Sequence, residues 1–159
     1  EYMGGESVME DPISDCVTAI DACAESGLPV ILSVCGVTKS GTMYDGASFS
    51  ALVSALEGHP VAAICLMCSY PRDITGSLPK LRDVYSGPIG AYAHLEYNEN
   101  PKFGSSPDEP FFTLGQGENT PERYAEAAIG WKEMGAQIIG GCCATTPDHI
   151  RAVRAAVKP

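Results

Sequence analysis

Three cysteines stand where a β/α chain does its chemistry. Cys142 and Cys143 are adjacent and follow Gly140-Gly141, whose backbone is free enough to turn two neighbouring thiols toward one point. Cys68 lies far upstream, at the end of the apolar run PVAAICLM. Thiolates are soft ligands that suit zinc. Three of them leave one corner of a tetrahedron for a substrate, which marks a catalytic site rather than a structural one. Two other readings compete. Cysteine is among the most often buried residue types, so all three could be packing residues. Cys65 and Cys68 also form a C-x-x-C pair, the spacing of a redox site. Side chains alternate along a strand, however, so two residues three apart face opposite ways, and this pair ends an apolar run rather than opening a helix. Cys65, like Cys16, Cys23 and Cys35, reads as a small packing residue.

The elements that must position these thiols alternate short apolar runs with longer amphipathic ones, as in repeated β/α units on a parallel sheet. Five units can be traced. A strand stub at residues 1–3 precedes a helix over 14–26, and PVILSVCG (29–36) forms a buried strand. A helix over 48–57 leads to the strand at 60–67. The next helix, 70–85, is expected to break early at Gly76 and Pro79. The strand PIGAYAHL (88–95) is followed by a stretch at 96–119 rich in Pro, Gly, Asn and Ser, which reads as a functional loop and candidate lid. Thr120-Pro121-Glu122 opens a helix to 134, AQIIGG (136–141) is the last strand, and Thr146-Pro147-Asp148 starts a final helix to about 157. Parallel β/α units carry their chemistry at the C-terminal ends of strands. Cys68, His94 and Cys142-Cys143 all fall there. His149 is expected to serve the start of the final helix, and Trp131 to pack in the core.

Composition narrows the functional classes. The 159 residues carry 20 acidic and 10 basic side chains, a formal charge of −10 that repels phosphate backbones and anionic lipid alike, so no nucleic-acid partner is expected. No apolar run approaches the roughly 20 residues needed to cross a bilayer, and EYMGGESVMEDP lacks a basic start followed by an apolar stretch. No membrane association is expected, and the location is expected to be cytoplasmic. Seven cysteines without regular spacing do not make a secreted disulfide framework.

GGCCATTPDHI, residues 140–150, resembles the C-terminal signature of the zinc-dependent homocysteine S-methyltransferases. The resemblance runs back through TPERYAEAAIGWKEMGAQIIGG, the strand ending in Cys68, and residues 44–46. It implies a (β/α)₈ TIM barrel in which Zn²⁺ is held by one cysteine after the sixth strand and a vicinal pair after the eighth, here Cys68, Cys142 and Cys143. It also implies transfer of a methyl group from a cationic donor such as S-methylmethionine, S-adenosylmethionine or betaine to the homocysteine thiolate, giving methionine. Glu1 matches the acidic residue that holds the homocysteine amino group at the end of the family's fourth strand. Two positions depart from the family pattern, Met67 and His94, where the family usually has Asn. Counted against that pattern the chain supplies strands four to eight, so residues 1–159 are expected to be the C-terminal portion of one homocysteine-binding barrel domain. Two alternatives remain open: the homocysteine-binding module of a cobalamin-dependent methionine synthase, and a non-catalytic zinc or thiol sensor whose metal site is closed by a fourth protein ligand.

Overall fold

The computed structural model of the protein describes residues 2–4, 11–43, 45–95 and 120–158. Ten elements alternate along it: β1 (Tyr2–Gly4), α1 (Pro12–Ala24), β2 (Val30–Cys35), α2 (Phe49–Ala55), β3 (Val61–Met67), α3 (Pro71–Val84), β4 (Ile89–Tyr92), α4 (Pro121–Glu133), β5 (Ala136–Ile139) and α5 (Pro147–Val157). The five strands form one parallel sheet in the order β1-β2-β3-β4-β5, each bonded to the next in sequence. Right-handed crossovers between sequential parallel neighbours place every helix on the same face. Each helix accordingly packs against the next along the row.

Strand alternation sorts the two faces. Leu32, Val34, Ile64, Leu66, Ile89 and Ala91 join the helical side chains Ile20, Leu52, Ile74, Leu78, Leu81 and Trp131 in one buried cluster. The intervening positions, Ser33, Cys65, Met67 and Tyr92, project from the other face, and there the Cys65 thiol donates to the Tyr92 hydroxyl at 3.5 Å. Cys65 thus has its own partner and is no redox mate of Cys68. Trp131 is fully buried, as expected, and its indole N–H donates to Thr75 Oγ1 at 2.9 Å.

The caps explain where the helices start. Asp11, Ser48 and Thr120 accept hydrogen bonds from the backbone N–H three residues on, at Ser14, Ala51 and Arg123. The strands are shorter than their apolar runs, because flanking Pro and Gly residues, and Ala93, His94 and Leu95 after β4, lie outside the ladders.

One expectation fails. Residues 71–84 form a continuous helix despite Gly76 and Pro79. A proline inside a helix costs about 3 kcal/mol. Burying Ile74, Leu78 and Leu81 completely gains about 1.5–3 kcal/mol for each, enough to hold the helix through it. Gly76 serves contact rather than breakage: a Cβ there would lie 2.5 Å from the Lys39 carbonyl oxygen, and next to it Ser77 Oγ donates to the Thr38 carbonyl at 2.7 Å.

Candidate metal centre

β3 ends at Met67, and the next residue, Cys68, turns into the left-handed region with φ 48°. For a residue with a Cβ that conformation costs about 1 kcal/mol, so its surroundings must hold it. Ser69 does part of this. Its hydroxyl donates to the Met67 carbonyl at 3.0 Å and accepts from the Val37 N–H at 2.9 Å, tying the end of β3 to the loop after β2.

The second thiol loop is a tight turn. Thr145 N–H and Thr145 Oγ1 both donate to the Cys142 carbonyl, at 3.2 and 2.7 Å, and Ala144, the third residue of the turn, has φ 64°, as a type II turn requires. Gly141 is needed here because a Cβ would lie 2.3 Å from Thr145 Oγ1.

Residues 92–95, the continuation of β4, bind both loops. Cys68 N–H donates to the Tyr92 carbonyl (3.0 Å) and His94 N–H to the Ser69 carbonyl (3.1 Å). On the other side Cys142 N–H donates to the Ala93 carbonyl (3.0 Å) and Leu95 N–H to the Cys143 carbonyl (3.2 Å). Alternate peptide groups of one extended segment therefore clamp the two loops from between them.

The result is a convergence of sulfur. Cys68 Sγ lies 3.7 Å from Cys143 Sγ, Cys143 Sγ lies 3.8 Å from Cys142 Sγ, and all three fall within 4.8 Å of one another. Ligands on a tetrahedron with metal–sulfur bonds of about 2.3 Å stand about 3.8 Å apart, so the donor set and its spacing fit a zinc-sized ion. Among the described residues no other group of three Cys, His, Asp or Glu side chains meets this way.

The thiols hold their protons without a cation. For Cys68 a hydrogen bond with Cys142 favours ionisation, but the neighbouring Cys35, burial and Cys143 outweigh it, and the thiol is pushed up to about 12. Cys142 is raised by its hydrogen bond with Cys68 and by burial, and Cys143 by burial first. Three sulfurs this close cannot ionise together unless positive charge is placed among them.

The residues around the thiols take several roles. Cys35 is not mere packing: it is half-buried, and its Sγ donates to the Cys68 carbonyl at 3.9 Å, beside the cluster but outside the mutually close trio. His94 is buried, packs edge-on against Tyr70 with ring centroids 4.7 Å apart, and is pulled down to about 4 by burial despite a hydrogen bond with the Cys68 backbone. It is therefore a neutral imidazole at physiological pH. Met67 is buried, level with Cys35 on β2 and Tyr92 on β4. His149 serves the start of α5, its Nδ1 accepting from the Thr146 N–H at 3.2 Å. Cys16 is buried as expected, whereas Cys23 is exposed on α1 rather than packed in the core. Glu1 and the stretch 96–119 lie outside the described residues.

A sequentially ordered parallel β/α sheet whose strand ends gather three thiols to ligand spacing defines a β/α protein with a candidate thiolate metal centre. The family model described as homocysteine S-methyltransferase matches residues 12–157, and the chain belongs to that family. Methionine synthase of Mycobacterium leprae is 34% identical over 132 residues, covering 82% of this chain and 10% of that protein. Homocysteine S-methyltransferase 2 of Arabidopsis thaliana is 31% identical over 118 residues, covering 73% of this chain and 33% of that protein. The chain thus spans a third or less of these relatives. In fold it resembles the metallated form of the homocysteine methyltransferase MmuM from Escherichia coli, with a TM-score of 0.66 at 24% identity, covering 90% of this chain and 41% of that one.

Proposed function

We propose that the protein of which these residues form part transfers a methyl group to the thiol of homocysteine, giving methionine, and that Cys68, Cys142 and Cys143 hold a Zn²⁺ ion at its active site. The observation that carries this reading is the sulfur spacing of 3.7 and 3.8 Å, which suits a tetrahedral ion with one position left over. When bound, zinc supplies the Lewis acidity that keeps a substrate thiol deprotonated at neutral pH. The rest falls to the chain. Its three sulfurs bring three negative charges against the ion's two, so the surroundings of the substrate sulfur stay electron-rich. The loops clamped by residues 92–95 fix where that sulfur must stand, and holding it in line with the donor is worth up to about 7–11 kcal/mol. The homocysteine sulfur forms a bond to the donor's methyl carbon as the donor's S–CH₃ or N–CH₃ bond breaks. The electron pair leaves with the donor, which becomes a neutral thioether or amine.

In this reading the five-stranded sheet is an arc of a (β/α)₈ barrel, strands four to eight, and Glu1 holds the substrate amino group, as its match to the family's acidic residue implies. The location is cytoplasmic. The donor is S-methylmethionine, S-adenosylmethionine or betaine. A second reading is favoured by the methionine synthase relative: the same homocysteine site as a module of a larger enzyme that receives its methyl group from another domain.

The test is made on the full-length, zinc-loaded protein, supplied with homocysteine and each donor in turn, with methionine read by mass spectrometry. Methionine is expected with at least one small cationic donor, lost on chelation and restored by zinc. Methionine with no small donor, while homocysteine still changes the zinc X-ray absorption, favours the module. Unchanged absorption means a site closed by a fourth protein ligand and overturns both.

A further inference from the structure

We infer that Tyr124 is a positioning residue of the metal centre, its hydroxyl setting where the Cys142-Cys143 loop stands. This rests on the metal reading above. Tyr124 lies in the first turn of α4, in the helix layer, and is fully buried. Its hydroxyl proton faces two carbonyl oxygens, that of Ala93 at 2.8 Å and that of Gly140 at 3.0 Å.

Both carbonyls belong to the thiol architecture. Ala93 is the residue of the clamp segment that accepts the Cys142 N–H, and Gly140 stands two residues before Cys142, its own N–H donating to the Ala91 carbonyl. One hydroxyl thus touches both sides of the joint between β4 and the segment carrying the vicinal thiols. Without it, the Gly140 carbonyl loses a buried donor exactly where two glycines leave the backbone most free to shift.

The ring is itself held from two directions. Trp131 meets it edge-on at 5.5 Å and 86°, and His149 at 5.8 Å and 90°. His149 is in turn bound to Thr146, directly after the turn that carries the thiols. Tyr124 therefore links the entry to that turn, at Gly140, with the exit from it, at Thr146. Packing alone would be met by phenylalanine; only the hydroxyl reaches the loop. Its hydroxyl bonds go to backbone carbonyls and not to a sulfur, so its effect passes through the loop. Outer groups that orient metal ligands typically change metal affinity by roughly 10- to 100-fold when removed.

The experiment compares full-length wild type, Tyr124→Phe and Thr75→Val. The last removes the acceptor of the Trp131 indole N–H, a bond in the same helix layer that involves no residue of either thiol loop. Zinc affinity is measured by competition with a chromophoric chelator, and ligand geometry by the thiolate charge-transfer band of the Co²⁺-substituted protein. Tyr124→Phe is expected to fold cooperatively, to bind zinc roughly 10- to 100-fold more weakly and to show an altered Co²⁺ band. Thr75→Val is expected to melt earlier with affinity and band unchanged. Substituting 4-aminophenylalanine at Tyr124, which restores a para donor, should recover the wild-type values and decides the matter should the Phe variant not fold. The inference is overturned if Tyr124→Phe binds zinc within twofold of wild type with the same band, if Thr75→Val weakens zinc equally, or if the folded 4-amino variant stays weak. A wild type that binds no zinc sinks the metal reading itself.

Discussion

The cysteines of α1 and those at the strand ends have the same chemistry and opposite circumstances. Cys16 and Cys23 sit on one helix, the first buried under the core and the second exposed to solvent. Neither belongs to a group of three ligand side chains; among the described residues Cys68, Cys142 and Cys143, within 4.8 Å of one another, form the one such group. What separates the two groups is backbone rather than side chain. A helix displays its residues outward one at a time, whereas the C-terminal ends of neighbouring parallel strands bring loops from distant parts of the chain to one rim.

That contrast can be broken most sharply by removing a ligand. Cys142→Ala should weaken zinc binding by at least about a thousandfold, or ~4 kcal/mol, measured by chelator competition. Cys16→Ala should leave it unchanged; equal losses would abolish the distinction. A smaller effect of another kind is expected from Cys16→Ser, which puts a hydroxyl into an apolar site. It should cost about 1–3 kcal/mol of stability in denaturant titration, with zinc stoichiometry intact. Smallest of all, Cys23→Ser should change stability by no more than about 0.5 kcal/mol, while in the wild type Cys23 is the first thiol labelled by maleimide with or without zinc. Cys16 should label far more slowly than Cys23 even at pH 9, since burial first, and then Asp15 and Asp45, push it up to about 11 and keep it protonated there. Zinc should slow labelling at the strand-end trio alone.

The strands and the thiol trio were legible because buried parallel strands leave continuous apolar runs, and because a vicinal Cys pair after two glycines is an unusual string. Other features were hidden for physical reasons. Pro79 reads as a helix breaker locally, and only the burial of Ile74, Leu78 and Leu81 outweighs it. Cys35 reads as packing until the register, which sets it opposite Met67, brings it beside Cys68. Nothing in the sequence marks Tyr124, for its hydroxyl partners at Ala93 and Gly140 come from other parts of the chain and no spacing announces them. The run 88–95 reads as strand throughout. β4 proper stops at Tyr92, yet the residues beyond it go on exchanging backbone hydrogen bonds with both thiol loops.

That shared segment has a kinetic consequence. The amides of Cys68, His94, Cys142 and Leu95 are all protected by bonds that cross it, so neither loop can swing open without disturbing the backbone that also secures the other. The rim then opens as one cooperative unit. Amide hydrogen exchange at these four positions would proceed at a common rate, and the same event would govern how fast the sulfurs let go of what they hold.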